Sequence, residues 1–192
     1  ATLWENNHLG YIYGLRPGGA SWQNWIAGRG YIVGSRLQMI DNVLLTHGSG
    51  LKVLVAPPHP EMAYDITSEA VKEVIKLLAK SYDFIVVDTP TQYDDTTLKL
   101  FDIAERIILV ANPTIPSVRN IRKVLDLLEG LKEPAGLADK VLFVLNRVVP
   151  ERERGRGAVP TASIETHLKH TVVASIPLDD QAVLTAVNQG VP

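Results

Sequence analysis

The sequence predicts an α/β domain built on a doubly wound, mainly parallel sheet flanked by helices. Three observations carry that expectation. Five short runs rich in Val, Ile and Leu recur at residues 51–56, 84–88, 107–111, 141–146 and 172–176. Their interiors are apolar on successive residues rather than on alternate ones, the pattern of strands covered on both faces. Helical periodicity fills the intervals between them, and strands alternating with helices imply successive right-handed crossovers.

The elements follow in chain order. The first fifty residues are irregular, because Gly18-Gly19 and Gly28-Arg29-Gly30 break them into short pieces. After the first run, Thr67 is placed to cap a helix reaching about Lys80, with Val71, Val74, Leu77 and Leu78 on one face. The run at 84–88 precedes a shorter helical stretch at 94–104. After the run at 107–111, Ser117 is placed to cap a helix on which Ile121, Val124, Leu125 and Leu128 repeat, and Gly130 and Pro134 stop it. Arg152, Arg154 and Arg156 alternate with Glu and Gly residues in a polar loop after the fourth run. Helices at 163–170 and 180–189 complete the set.

Composition excludes several classes. A length of 192 residues suits one domain with a sizeable core. No cysteine is present, so disulfide frameworks and thiolate metal sites are out. A net charge of −2 offers no global field for nucleic acid or anionic lipid. No apolar run reaches the roughly 18 residues of a membrane span, and the first residues, Ala1 to Asn7, lack the features of a signal peptide. A cytoplasmic protein is expected, and the start reads as a cut in a longer chain.

In open α/β sheets, ligands bind beyond the carboxyl ends of the strands. Residues following the five runs are Pro57-Pro58-His59-Pro60, Asp88-Thr89-Pro90, Asn112-Pro113-Thr114, Asn146-Arg147 and Pro177-Leu178-Asp179-Asp180. Asp88 stands out, because four apolar residues carry a carboxylate to the tip of a run. A carboxylate there either holds Mg²⁺ through a water beside nucleotide phosphates or caps the following turn.

Asp83-Phe84-Ile85-Val86-Val87-Asp88-Thr89-Pro90 resembles the Walker B and switch II segment of the MinD/ParA-like ATPases, a SIMIBI-class P-loop family. Further segments follow in that family's order: Ile107-Ile108-Leu109-Val110 with Asn112-Pro113 and Ser117-Val118-Arg119-Asn120; Val144-Leu145-Asn146-Arg147; and Ile176-Pro177-Leu178-Asp179-Asp180 with Ala186-Val187-Asn188-Gln189-Gly190-Val191-Pro192. Gly50-Leu51-Lys52-Val53-Leu54-Val55-Ala56-Pro57-Pro58 resembles the CpaE/TadZ pilus-assembly branch. Together the segments cover residues 47–192 of a single domain spanning 1–192, with 1–46 left poorly assigned. The resemblance implies a three-layer P-loop fold. It also implies Asp88 as the ligand of the Mg²⁺ water shell, Asn112 as a rim residue of the nucleotide site, Asn146 on the adenine edge, Arg147 stacked on the base or beside the ribose, and Pro177 and Asp179 lining the base pocket. As structural residues, Asn146 would only cap a strand end, Arg147 would form a surface ion pair and Pro177 would end a strand.

The phosphate loop of such ATPases needs Gly-x-x-x-x-Gly-Lys-Ser/Thr, whose backbone N–H groups and lysine neutralise the phosphates. The 192 residues contain no such run. Gly14-Leu15-Arg16-Pro17-Gly18-Gly19-Ala20-Ser21 has the glycine spacing, but Ala20 occupies the lysine position and Pro17 removes a donor. By the resemblance, the first strand and the loop belong upstream, and their absence leaves a gap beside the strands at 84–88 and 107–111. Gly28, Gly30 and Gly34 match no dinucleotide fingerprint. His167 and His170 lack an acidic partner for a metal. His47-Gly48-Ser49-Gly50 reads as a turn, and Trp22 and Trp25 read as packing residues.

Three functions therefore compete. The first is a positioning or assembly protein for pilus or secretion machinery, dimerising under nucleotide control, with ATP and Mg²⁺ as cofactors of the full-length form and none held by this chain. The second is a pseudo-ATPase scaffold, and the third an unrelated α/β enzyme. A homodimer and assembly proteins are the expected partners. Nucleic acid is not expected, nor is direct membrane binding, because no basic amphipathic helix precedes Pro192.

Overall fold

The computed structural model describes residues 43–54, 66–91, 93–131, 135–149 and 159–191. The glycine-rich stretches before residue 35, the three tryptophans, Pro57-Pro58-His59-Pro60 and the arginine-rich loop at 151–157 lie outside the described residues. The chain divides into two compact units, Ala1–Ile103 and Ala104–Pro192.

In the first unit, β1 (Leu45–Thr46) pairs antiparallel with β2 (Lys52–Val53), with Leu45 opposite Val53. The connecting turn is the His47-Gly48-Ser49-Gly50 segment. The Gly50 N–H donates to the His47 carbonyl at 2.9 Å, and the His47 N–H donates to the Leu51 carbonyl at 2.9 Å. Gly50 has φ +87°, a conformation that suits glycine. The described part of the run at 51–56 is therefore one arm of a short ribbon and not a parallel strand. The turn folds the chain back, so the nearest available partner is local and antiparallel.

The run at 84–88 also departs from expectation, since it forms no ladder among the described residues. Phe84 is 90% exposed and Val86 83%, while Ile85 between them packs on the cluster of Leu54, Val74 and Leu78. Apolar content equips a segment for a sheet, but a strand also needs a neighbour to hydrogen-bond.

Helix α1 (Ser68–Leu78) begins at the expected cap, where the Thr67 hydroxyl accepts the Ala70 N–H at 3.2 Å. Val74 and Leu78 are buried from its inner face. Helix α2 (Asp95–Ile103) starts behind Asp94, whose Oδ1 accepts the Thr97 N–H at 2.8 Å. A polar cluster joins the two helix starts. Buried Ser68 donates its hydroxyl to Asp95, and Lys99 donates to Ser68 at 2.9 Å and pairs with Glu69 and with Asp95 at 3.3 Å.

Hydrogen bonds from Lys99 to Glu69 and from Ser68 to Asp95 are the first causes that lower the two carboxyl pKa values below their ordinary ones; hydrogen bonding to Glu69 is the first cause that raises that of Lys99. The carboxylates' contribution to stability is then complete above their ordinary values and is lost as pH falls through the lowered ones. The contribution of Lys99 is complete below its ordinary value and is lost as pH rises through the raised one. In Lys99→Met, both carboxyl pKa values measured by NMR should move up toward the ordinary range. Unchanged values would mean that the cluster does not form in solution.

The second unit alternates strictly: β3 (Ile107–Ala111), α3 (Ile115–Gly130), a 3₁₀ turn (Ala138–Lys140), β4 (Val141–Val148), α4 (Thr161–Leu168), β5 (Val172–Pro177) and α5 (Asp180–Gln189). The strands form a parallel sheet in the order β3-β4-β5, with Ile107 opposite Val141 and Phe143 opposite Val172. This parallel α/β sheet is the predicted fold class. Helix α3 starts earlier than expected. Thr114 occupies its N-cap position without a side-chain bond, Pro116 sits in the first turn, and the Ser117 hydroxyl instead accepts the Asn112 N–H at 3.1 Å. Helix α4 likewise starts at Thr161, behind Pro160, and ends at Lys169 in the left-handed conformation.

Two successive crossovers of one hand, moving the same way across the sheet, put α3 and α4 on the same face. Burial follows that geometry. Ile107, Leu109 and Ala111 are buried, whereas Ile108 and Val110 are 58% and 53% exposed. Among the described residues, one face of β3 is covered and the other is open. Phe143 and Leu145, opposite Leu109 and Ala111 in the ladder, are buried on the same face, as are Leu125 and Leu128 of α3 and Ile164 and Leu168 of α4. Arg122 ties the helices together, donating to the Leu168 carbonyl at 3.0 Å while pairing with Asp126 and Glu129. Glu165 accepts the Val172 N–H at 2.8 Å and so fixes the start of β5.

Candidate functional site

Parallel strands present their carboxyl ends on one side. In the second unit, this brings Asn112 after β3, Asn146 and Arg147 near the end of β4, and Pro177 and Asp179 at the end of β5 to a single rim. Five of the six expected site residues therefore share an edge. The sixth, Asp88, lies in the first unit, exposed, and makes no hydrogen bond or ion pair among the described residues.

The rim contains an irregularity in the ladder. Leu145 pairs with Ser175 and Val148 with Pro177, so two residues of β4, Asn146 and Arg147, stand against one of β5. This is a β-bulge, which bends a strand and re-aims its side chains at a rim. Arg147 sits at φ +57°, in the left-handed region. For a residue other than glycine that conformation costs roughly 1–2 kcal/mol. The surroundings hold it there. Asn146 Oδ1 accepts the Arg147 N–H at 2.9 Å, and the Leu178 N–H closes the ladder by donating to the Val148 carbonyl at 3.0 Å. Arg147 also donates to Asp180 at 3.0 Å, an ion pair half exposed to solvent. Strain of this kind concentrates at functional positions.

The donor set suits a purine. Asn146 Oδ1 has a second lone pair, and its amide N–H groups have no partner among the described residues. A carboxamide so equipped can bond both a ring nitrogen and an exocyclic amine of adenine. A guanidinium stacks on aromatic faces. Asp179 is committed locally, since its Oδ1 accepts the Ala182 N–H at 2.9 Å and caps α5. Pro177 is exposed at the last position of β5. Asn112 has its backbone engaged on both sides, by Ser117 and by the Thr114 N–H at 2.7 Å, and its side chain is exposed. Sequence reasoning did not single out Asp180. Its signal was the doubled acid at a helix start, where one carboxylate caps and the next is free to reach a neighbouring strand.

The described residues hold no group of three or more His, Asp or Glu side chains able to cage a metal. A lone exposed carboxylate such as Asp88 fits Mg²⁺ carried mainly by phosphates and water, the usual habit of that ion. No helix among the described residues is long and apolar enough to cross a membrane.

The chain resembles known proteins along most of its length. It is 30% identical over 131 residues to the septum site-determining protein MinD of Escherichia coli, covering 66% of this chain and 48% of that protein. It is 27% identical over 128 residues to MinD of Thermotoga maritima, covering 66% and 45%. The chain thus spans about half the length of the curated relatives it matches. No family model matches it. Among solved structures, a ParA family ATPase from Chlorobium tepidum superposes with a TM-score of 0.74 at 20% identity, over 94% of this chain and 69% of the other. The cell division ATPase MinD of Pyrococcus furiosus gives 0.67 at 23% identity, over 90% and 66%. A chain of the MinC:MinD cell division protein complex of Aquifex aeolicus gives 0.65 at 21% identity, over 91% and 64%. The sequence is similar to MinD over two thirds of its length, and its fold is that of the MinD and ParA ATPases.

Proposed function

We propose that this protein is a MinD/ParA-like nucleotide-binding protein that positions or assembles cellular machinery through nucleotide-linked homodimerisation. The observation that carries the reading is the bulge at Asn146 and Arg147, a strained pair at the strand-end rim of a chain similar to MinD. In this reading, Asn146 reads the adenine edge, Arg147 lies against the base, Asn112, Pro177 and Asp179 border the pocket, and Asp88 orients the Mg²⁺ water shell. Bound Mg²⁺ would neutralise phosphate charge; the work of this chain's own residues is to select the base and hold the metal's water. ATP and Mg²⁺ are then the cofactors of the full-length protein, and the cytoplasm is its compartment. The Gly50 to Pro58 stretch points to machinery of the pilus or secretion type, as in the CpaE/TadZ branch. Relatives named for septum placement support a positioning role in general.

Analytical ultracentrifugation of the full-length protein with Mg²⁺ tests this. A non-hydrolysable ATP analogue should shift monomer to dimer, and ADP should not. Asn146→Ala should weaken ATP binding about 3- to 10-fold, the value of one or two hydrogen bonds to the base. A protein that neither binds adenine nucleotide nor changes mass sinks the reading.

A second reading is a pseudo-ATPase scaffold, favoured by the absence of Gly-x-x-x-x-Gly-Lys-Ser/Thr from these 192 residues. It shares the dimer and the assembly partners but not turnover. Mg²⁺-dependent phosphate release by the full-length protein separates the two.

A further inference from the structure

We propose that Asp180 is a positioning residue for the base side of the nucleotide site, acting through Arg147. The inference rests on the reading of the rim as a nucleotide site and goes beyond it by assigning Asp180 a task.

A guanidinium at the edge of a sheet has many rotamers, and an arginine that must lie flat against a base gains from having only one. Here its backbone is already fixed by the bulge, at φ +57° with its N–H bound to Asn146. What remains free is the long side chain. Asp180 takes up its far end, with the Arg147 guanidinium donating to Asp180 Oδ2 at 3.0 Å. A carboxylate binds a guanidinium at its edge and in its plane, so both flat faces stay open for stacking.

The anchor is itself rigid. Asp180 lies in the first turn of α5, whose start is capped by Asp179 and joined to β4 by the bond from Leu178 to Val148, next to Arg147 in sequence. The arginine and its anchor are thus held from two elements that meet at one backbone bond. The pair is 53% and 66% exposed, so its direct contribution to folding is small. An exposed pair across a strained arginine is better explained by what it orients than by what it stabilises.

The test measures affinities of the full-length protein for ATP and for inorganic tripolyphosphate, by competition against a fluorescent adenine nucleotide with Mg²⁺ at fixed ionic strength. Asp180→Asn should weaken ATP about 3- to 5-fold, leave tripolyphosphate, which has no base, unchanged, and leave the melting temperature within about 2 °C. Asp180→Glu should restore most of the loss. In an Arg147→Ala background, Asp180→Asn should add nothing, because the residue acts only through the arginine. The proposal is overturned if Asp180→Asn is silent, if it weakens ATP and tripolyphosphate equally, or if its effect persists without Arg147. If the unmutated protein binds no adenine nucleotide, the nucleotide reading fails and takes this inference with it; if binding is intact and Asp180→Asn is silent, this inference alone fails.

Discussion

Replacing Phe143 with alanine is expected to destabilise the second unit by about 3–5 kcal/mol, whereas Val110→Ala on the neighbouring strand should cost less than about 1 kcal/mol. The two residues differ in face more than in chemistry. Phe143 is 1% exposed, so truncating it removes fully buried apolar surface and leaves a cavity. Val110 points to the opposite side, where half of its surface meets solvent, so there is little burial to lose. Amide exchange along β4 with increasing urea is the suitable measurement. Equal losses for the two variants would mean that the face of Ile108 and Val110 is covered in solution, contrary to the structure.

The same strand shows where sequence reading succeeds and where it stops. Ile107-Ile108-Leu109-Val110-Ala111 was legible as a strand to the residue, because apolar density and the flanking Asn112-Pro113 bound it sharply. Helix α5 was equally legible over residues 180–189, and in the structure the Asp179 carboxylate caps its start and a left-handed Gly190 ends it. How many faces are covered was not legible, for that depends on the side to which each crossover goes. The run at 84–88 makes the same point more strongly. Its side chains are those of a buried strand, but no ladder forms among the described residues, and Phe84 stands in solvent.

The candidate site was legible as a set of positions, not as a geometry. That Asn112, Asn146, Arg147, Pro177 and Asp179 share a rim follows from parallel topology alone. That Asn146 and Arg147 occupy a bulge could not be read, because it arises from the pairing of β4 with β5 rather than from either strand. Arginine at a left-handed position runs against local preference. A glycine there would relieve the strain, and its absence is what the sequence would have shown had the backbone been known. Asp179 has a task the sequence did not show, since its carboxylate also caps α5.

The largest functional effect is expected from Asp88→Asn. The substitution keeps the size of the side chain and removes one negative charge. Asp88 is exposed and holds no partner among the described residues, so folding should be nearly indifferent, within about 0.5 kcal/mol. If the carboxylate orients water on a nucleotide-bound Mg²⁺, it acts on the metal from the outer shell, where removing a partner typically costs about 10- to 100-fold in affinity. The expected result for the full-length protein is therefore a Mg²⁺ requirement for ATP binding raised by that factor, read as the midpoint of a Mg²⁺ titration at fixed ATP, with metal-free ATP binding unchanged or slightly improved because a repulsive charge is gone. The competing role, a cap on the turn at Thr89-Pro90, has the opposite signature: a lower melting temperature and an unmoved Mg²⁺ midpoint. Since the two roles move different observables, one titration and one melt on a single variant decide between them.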